Sequence, residues 1–326
     1  MKRLLQKIAN TLMINIQDIS QVGLFEGRIG IIVFFYHYGR FIKQPIYTKV
    51  ADEMLDDVFT EIQDNKLPIL SHELFEVGIG TNHLIKANFV EGDPDDILYD
   101  IDQRLQTSVS NNKPPENTQM LYWLCRWDNR QSQHDWLQDL IVQVLEGINK
   151  HLDNSTQGLA YYNCVVFLLT RLCVSGFENE IVKNVLVKSL KCLIGKDLSS
   201  FPNEDLIIFR KLLKNVDSSI IERSTLVQKL ETMMKPEKKE YEIENIWQNL
   251  LYLPNESPAI DLKVANEYFN AIITDLTVSD LFFKRGLTGL GLGLIKDAIM
   301  FTEHKGSVKN WLCFFKLNVE LEKQMS

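Results

Sequence analysis

The side chains best suited to chemistry are few in this chain and poorly spaced for joint work. Its five cysteines are Cys125, Cys164, Cys173, Cys192 and Cys313, and no two form a Cys-x-x-Cys pair. An odd number of scattered thiols reads as buried, reduced cysteine rather than a disulfide framework. The nearest approach to a thiolate–imidazole cluster would combine Cys164, Cys173 and His151. The two cysteines are nine positions apart, about 900° of helical rotation, which puts them on opposite faces of a helix. Two core thiols is the better reading.

Charged residues gather instead around three glycine-rich segments: Gly23-Leu24-Phe25-Glu26-Gly27-Arg28-Ile29-Gly30, Leu74-Phe75-Glu76-Val77-Gly78-Ile79-Gly80, and Arg285-Gly286-Leu287-Thr288-Gly289-Leu290-Gly291-Leu292-Gly293. Glu26 and Arg28 stand at the first, Glu73 and Glu76 at the second, and Lys284 and Arg285 at the last. One reading makes them balance the positive ends of helix dipoles. The other lines a concave pocket with them, suited to a peptide or a sugar. Two such acids about 5–9.5 Å apart would cleave a glycosidic bond. If the first and last segments adjoin, Glu26 and Arg285 are placed to pair. His72 and His83 flank the second segment and read as solvent-facing or core-satisfied histidines rather than catalytic ones. Asp93-Pro94-Asp95-Asp96 reads as a helix start rather than a cation site, with Asp93 as cap and Pro94 in the first position.

Other chemistries lack their signatures. The glycines from Gly286 to Gly293 resemble a dinucleotide fingerprint only superficially. No strand precedes them, and too little chain follows for the rest of a nucleotide-binding half. There is no phosphate-binding Gly-x-x-x-x-Gly-Lys-Ser/Thr loop, Gly-x-Ser-x-Gly elbow or His-Glu-x-x-His pair. A net charge of −8 argues against a nucleic-acid partner.

The elements that must position these residues are helical. Apolar residues recur at helical spacing in Leu4, Leu5, Ile8, Leu12 and Ile16, and in Val50, Met54, Leu55, Val58 and Ile62. The same period returns in Trp136, Leu137, Leu140, Ile141, Val144 and Leu145, and in Val264, Tyr268, Ile272, Ile273 and Leu276. Strongly apolar helices are expected to start near residues 27, 78, 119, 160, 205, 247 and 289, at intervals of 51, 41, 41, 45, 42 and 42. Intervals of this length suit a helix-hairpin repeat in about seven copies. Within each copy one helix is nearly all apolar, as in Ile31 to Phe35, Val165 to Leu169 and Leu290 to Ile295. The other carries a charged face, as in Ala51 to Ile62 and Ser132 to Asn149. A helix apolar all round must be buried all round, which favours an inner ring wrapped by an outer one over an open solenoid. The expectation is one all-α domain over residues 1–326. Breaks fall at Pro114-Pro115, Asp153-Asn154-Ser155, Pro202-Asn203, Lys235-Pro236 and Pro254 to Pro258, and the charged run from Lys235 to Glu244 reads as a solvated connection. The N-terminal stretch is an amphipathic helix rather than a signal peptide. The longest apolar run, Ile29 to Tyr36, is far below the ~20 residues that span a bilayer. No membrane association and a cytoplasmic location are expected.

Gly-Leu-Phe-Glu-Gly-Arg-Ile-Gly followed by Ile31 to Arg40 resembles the first repeat of the lanthionine synthetase C-like proteins. The stretch from Phe75 to Asp102 is similar to the second repeat in the bacterial lineage of that family, and Arg285 to Ile295 to its last. The resemblance covers the first hundred and last fifty residues, and only the repeat rhythm carries the middle. It implies an (α/α) toroid of seven inner and seven outer helices. The best-known members add a cysteine thiol across a dehydroamino acid, using a zinc ion held by a Trp-Cys-Tyr-Gly motif in the fifth repeat and a Cys-His-Gly motif in the sixth. Here those places read Phe201-Pro202-Asn203-Glu204-Asp205-Leu206 and Ile243-Glu244-Asn245-Ile246-Trp247-Gln248, and no Cys or His lies between Gly195 and Thr302. Tyr161 stands where the family carries its acid/base histidine, and a phenol with an ordinary pKa of about 10 is a poor base at neutral pH.

The expectation is a zinc-less member without cofactor or metal. It would bind a peptide substrate or a peptide-modifying enzyme at a central cavity, with Glu26, Arg28, Glu73, Glu76, Tyr161 and Arg285 as candidate lining. The alternatives are a carboxylate-based enzyme acting on a saccharide, and a thiol-addition cyclase with a non-standard site.

Overall fold

Helical periodicity is realised along the described chain, and no strand forms among the described residues. The computed structural model describes residues 1–64, 70–107, 113–129, 135–153, 157–177, 179–214, 216, 243–253, 259–302 and 314. The helices are α1 (Lys2–Asn15), α2 (Arg28–Ile42), α3 (Pro45–Gln63), α4 (Ser71–Lys86), α5 (Pro94–Ile97), α6 (Tyr99–Gln106) and α7 (Asn117–Asn129). They continue as α8 (Asp135–His151), α9 (Leu159–Val174), α10 (Asn179–Ile194), α11 (Asn203–Lys214), α12 (Ile246–Tyr252), α13 (Leu262–Thr274) and α14 (Leu287–Thr302). The fold is all-α. Most of the charged run from Lys235 to Glu244, the Lys235-Pro236 break, the stretch Pro254 to Pro258 and Cys313 lie outside the described residues. No helix among the described residues is long and apolar enough to cross a membrane.

Two kinds of helix alternate along the chain. In α2 every residue from Ile29 to Gly39 is buried, and in α4 every residue from Leu74 to Leu84. The same holds from Gln119 to Trp127 in α7 and from Tyr161 to Leu169 in α9. In α3, by contrast, only Ala51, Leu55, Val58 and Ile62 are buried, a single stripe at helical spacing. α8 buries Leu137, Leu140, Ile141, Val144, Leu145, Gly147 and Ile148 in the same way. Both bury one face only. α13 is a correction: the helix forms where the period placed it, but it buries Ala265 and Phe269 while Val264 and Ile273 are exposed. With few large apolar groups on either face, the spacing could not say which would turn inward.

Six of the expected helix starts lie within two residues of an observed one, at Arg28, Asn117, Leu159, Asn203, Ile246 and Leu287. The second does not. Leu74 to Gly80 is no turn, because α4 already begins at Ser71 and Glu76 lies inside the helix. The reason is visible at the matching positions Gly27 and Val77. Gly27 caps α2 in an extended conformation, folded so tightly onto the preceding loop that an added Cβ would lie 2.4 Å from the Gly23 nitrogen. Only a glycine fits there. Val77 has a side chain and continues a helix, and the start moves back to where the Glu73 carboxylate accepts the Leu70 N–H at 3.2 Å.

The chain divides into two compact units. One comprises Met1–Ile101 and Tyr241–Phe314, the other Asp102–Glu240 and Phe315–Ser326. In the first unit α2 packs against α3, α4 and α14, and α14 packs in turn against α1 and α12. The helix α14 thus lies beside α2. Glycines let these helices approach closely: a Cβ on Gly291 would lie 2.4 Å from the Phe34 ring, and one on Gly80 2.1 Å from the Ile29 side chain. In the second unit α9 packs against α7, α10 and α11, and α8 against α7 and α10. Two of its buried charges pair with each other. Arg126 meets the Asp102 carboxylate at 2.9 Å, and the Tyr122 hydroxyl donates to the same carboxylate.

Candidate functional site

In the first unit the turns leading into α2 and α14 meet the first turns of α4. The loop before α2 is pinched shut, with Arg28 N–H donating to the Gln21 carbonyl and Ile29 N–H to that of Val22. This leaves the N–H groups of Val22 and Phe25 to be satisfied from elsewhere. Two carboxylates of α4 supply the acceptors: Glu76 Oε2 takes the Phe25 N–H at 2.9 Å, and Glu73 Oε1 takes that of Val22 at 3.4 Å. Gly23 makes this approach possible, since a Cβ there would lie 2.3 Å from Glu76 Oε2. From the other side Lys284, just before α14, donates its N–H to the Phe25 carbonyl at 2.9 Å. Its ammonium also meets Glu26 Oε1 at 2.6 Å.

Aromatic rings close over the same place. Phe25 stacks on Phe283, with ring centres 6.1 Å apart, and meets the Trp247 ring edge-on at 5.6 Å. Trp247 sits at the start of α12 and is partly exposed. Its indole N–H finds no acceptor among the described residues. The Glu26–Lys284 pair is half-exposed beside it.

The titration of Glu76 is displaced. Burial pushes it up to about 7, and the neighbouring charges of Glu26 and Glu73 add to the rise. The Phe25 N–H and the Lys284 ammonium oppose it. It is therefore close to half-protonated at neutral pH, while its oxygen stays engaged with the backbone of the turn.

Of the candidates from the sequence, Glu26, Glu73 and Glu76 come together at these turns. Arg28 does not join them: its guanidinium turns away to a two-pronged contact with Glu61 of α3. Arg285 does not pair with Glu26; the neighbouring Lys284 does. Arg285 instead adopts a left-handed backbone, φ 61°, is exposed, and offers its carbonyl to the Tyr268 hydroxyl. The tight turn into Gly286 explains the exchange, because it rotates Arg285 outward and leaves Lys284 facing the first loop. Tyr161 lies in the second unit, on the first turn of α9. It is buried, its hydroxyl has no partner among the described residues, and burial chiefly, then Cys164 and Tyr162, raise its pKa further above the ordinary phenol value. It is a worse base than an exposed tyrosine. His72 is exposed, whereas His83 is buried and meets His37 of α2. Asp93 caps α5 by accepting the Asp95 N–H.

Two participants were not picked out from the sequence. Trp247 was visible only as a residue at a helix start, and its partnership with Phe25 joins positions over two hundred residues apart. His37 was hidden inside an apolar run.

The zinc ion implied by the resemblance does not fit these residues. The stretch expected at the sixth repeat, Ile243 to Gln248, holds no Cys or His, and Trp247 within it packs on Phe25. Among the described residues no three His, Cys, Asp or Glu side chains gather as metal ligands, so Cys164, Cys173 and His151 do not form a substitute trio. Cys164 is buried and donates to the Asn117 carbonyl. No protein-family model, curated protein or solved structure matches the chain.

Proposed function

We propose that the chain is a lanthionine synthetase C-like (α/α) toroid without zinc chemistry, which binds a peptide or a peptide-modifying partner in the cytoplasm at the turns leading into its inner helices. The observation that carries this reading is Trp247. In the stretch where the resemblance implies a Cys-His-Gly motif, this chain carries an indole that packs edge-on against Phe25 of the first turn. An aromatic face beside the half-exposed Glu26–Lys284 pair suits a peptide better than a reaction. The partly exposed indole of Trp247 offers apolar contact to a peptide side chain. The ion pair can exchange partners with charged side chains. The repeat rhythm and the adjacency of α14 and α2 support the toroid.

The carboxylate-enzyme reading gains nothing from the geometry. Glu73 and Glu76 each hold backbone N–H groups of the first turn, Glu73 also caps α4, and Glu26 is ion-paired. A glycosidase needs one acid free to protonate a leaving group and a second free to act as nucleophile or base. The thiol-addition reading finds no ligand set among the described residues.

The test is binding of a panel of synthetic peptides rich in Ser, Thr and Cys, followed by tryptophan fluorescence and calorimetry. Saturable binding that weakens at least tenfold in Trp247→Ala, with the fold intact by circular dichroism, is expected. Stoichiometric zinc in the purified protein, with cyclisation of a dehydroalanine peptide, would overturn the proposal.

A further inference from the structure

The charges at the turns beside Trp247 do not balance. Glu26 of the first turn and Glu73 and Glu76 of α4 bring three carboxylates, and Lys284 brings one ammonium. Glu26, Glu73 and Lys284 are also the charges that act on Glu76, while Arg28 on α2 is spent on Glu61 of α3. The accessible part is the ion pair, with Glu26 58% and Lys284 40% exposed, whereas Glu76 is 8% exposed. Lys284 meets Oε1 of Glu26, and Oε2 has no partner among the described residues.

Glu76 can exchange its proton without releasing the turn. Its Oε2 accepts the Phe25 N–H, and its Oε1 has no hydrogen-bond partner among the described residues. A proton carried on Oε1 leaves the bond at Oε2 in place. What changes is the charge of the site. Two carboxylates stand against one ammonium when Glu76 is protonated, and three against one when it is not. Either way the turns carry an excess of negative charge.

Granted the peptide site described above, we propose that these turns select a cationic group of the peptide, a Lys or Arg side chain, and that its docking on Glu26 expels the proton of Glu76. The cation takes the open oxygen of Glu26 and lies against the partly exposed Trp247 ring, both favourable to positive charge. Its charge stabilises the ionised form of Glu76, and the proton leaves to solvent as the contact forms. Burial holds Glu76 at about 7, so close to half of it carries a proton to lose at neutral pH. A peptide carboxylate meets the opposite response: at Lys284 it would face the acids of the site and draw a proton onto Glu76. Cation binding therefore strengthens as pH rises from 6 to 8. If docking lowers the Glu76 midpoint from about 7 to about 6, binding is about fivefold tighter at pH 8 than at pH 6. The same shift releases about 0.4 proton at pH 7.

The probe is the tightest-binding peptide of the panel above that lacks Cys, blocked at both ends and made in three forms with Lys, Gln or Glu at one position. Calorimetry of the full chain in phosphate and in Tris at pH 7 counts the protons released, and titrations at pH 6 and 8 give the affinities. The Lys form is expected to bind tightest, to gain about fivefold in affinity at pH 8, and to release a proton fraction that the Gln form does not. Glu76→Gln should abolish both the release and the gain. Without peptide, carboxyl-carbon NMR should show the Glu76 midpoint fall in Glu26→Gln and rise in Lys284→Met, by about 0.3–1 pH unit each. If the Lys form binds but releases no proton, or the Glu form binds as tightly, the proposal is overturned while the peptide site stands. If neither substitution moves the midpoint, the coupling does not exist. The wild-type proton count decides the matter even where a variant folds poorly. Where no peptide of the panel binds, the site itself fails, and the proposal with it.

Discussion

Glu76 and His37 illustrate how burial alone writes opposite pH dependences into neighbouring helices. An acid raised above its unfolded value is protonated in the fold while still ionised in the unfolded chain. Its cost to stability appears as pH rises from about 4.5 towards 7 and above. A histidine pushed down does the reverse. Glu76→Gln keeps an oxygen for the Phe25 N–H and removes the ionisation. It should therefore match or trail the wild type near pH 5 and overtake it by pH 8, with a relative gain of about 1–3 kcal/mol. Urea midpoints at several pH values check this, and parallel curves for the two proteins would refute it. The histidine contribution is common to both proteins and cancels in the comparison. None of this was legible in the sequence. Glu76 was visible as a candidate because it adjoins glycines, but its role depends on reaching the backbone of Phe25, fifty-one positions away.

At the level of elements, the sequence foretold what period and glycine spacing can encode, and failed where one side chain decides. Fully buried helices were legible because residues such as Ile31 to Phe35 are apolar on every face, leaving no orientation to choose. The face of α13 was not, because Val264 and Ile273 compete with Phe269 and the winner depends on what packs there. The start of α4 was misplaced because Phe25-Glu26-Gly27 and Phe75-Glu76-Val77 look alike, although only Gly27 can lie against the backbone of Gly23. That contrast makes a prediction. Gly27→Ala meets backbone rather than a movable side chain and should cost about 1–3 kcal/mol. Gly158→Ala sits at the equivalent place before α9, with ordinary φ −73° and nothing within 4 Å of the new Cβ. It should change stability by no more than about 0.5 kcal/mol. Thermal or urea unfolding of the pair measures the difference, and equal effects would show that the pinched loop does not hold α2.

For the whole molecule, the distinction that matters is between a closed ring and an open stack of hairpins. In an open stack each repeat touches only its neighbours in sequence, and losing the last one lowers stability by one increment. The first unit departs from that pattern: α14 packs on α2 and α1 as well as on α12. Lys284 is bonded to Phe25 and Glu26 through both backbone and side chain. The last helix is thus a structural neighbour of the first, and Gly291 against Phe34 is part of the same core. A chain ending at Gly286 should therefore lose hydrogen-exchange protection in α2, at the opposite end of the sequence, and not merely in α12 beside the cut. Amides of α9 in the second unit give an internal reference, expected to keep most of their protection. If α2 stays fully protected and only α12 frays, the first and last repeats do not depend on each other, and the toroid should be given up in favour of a solenoid.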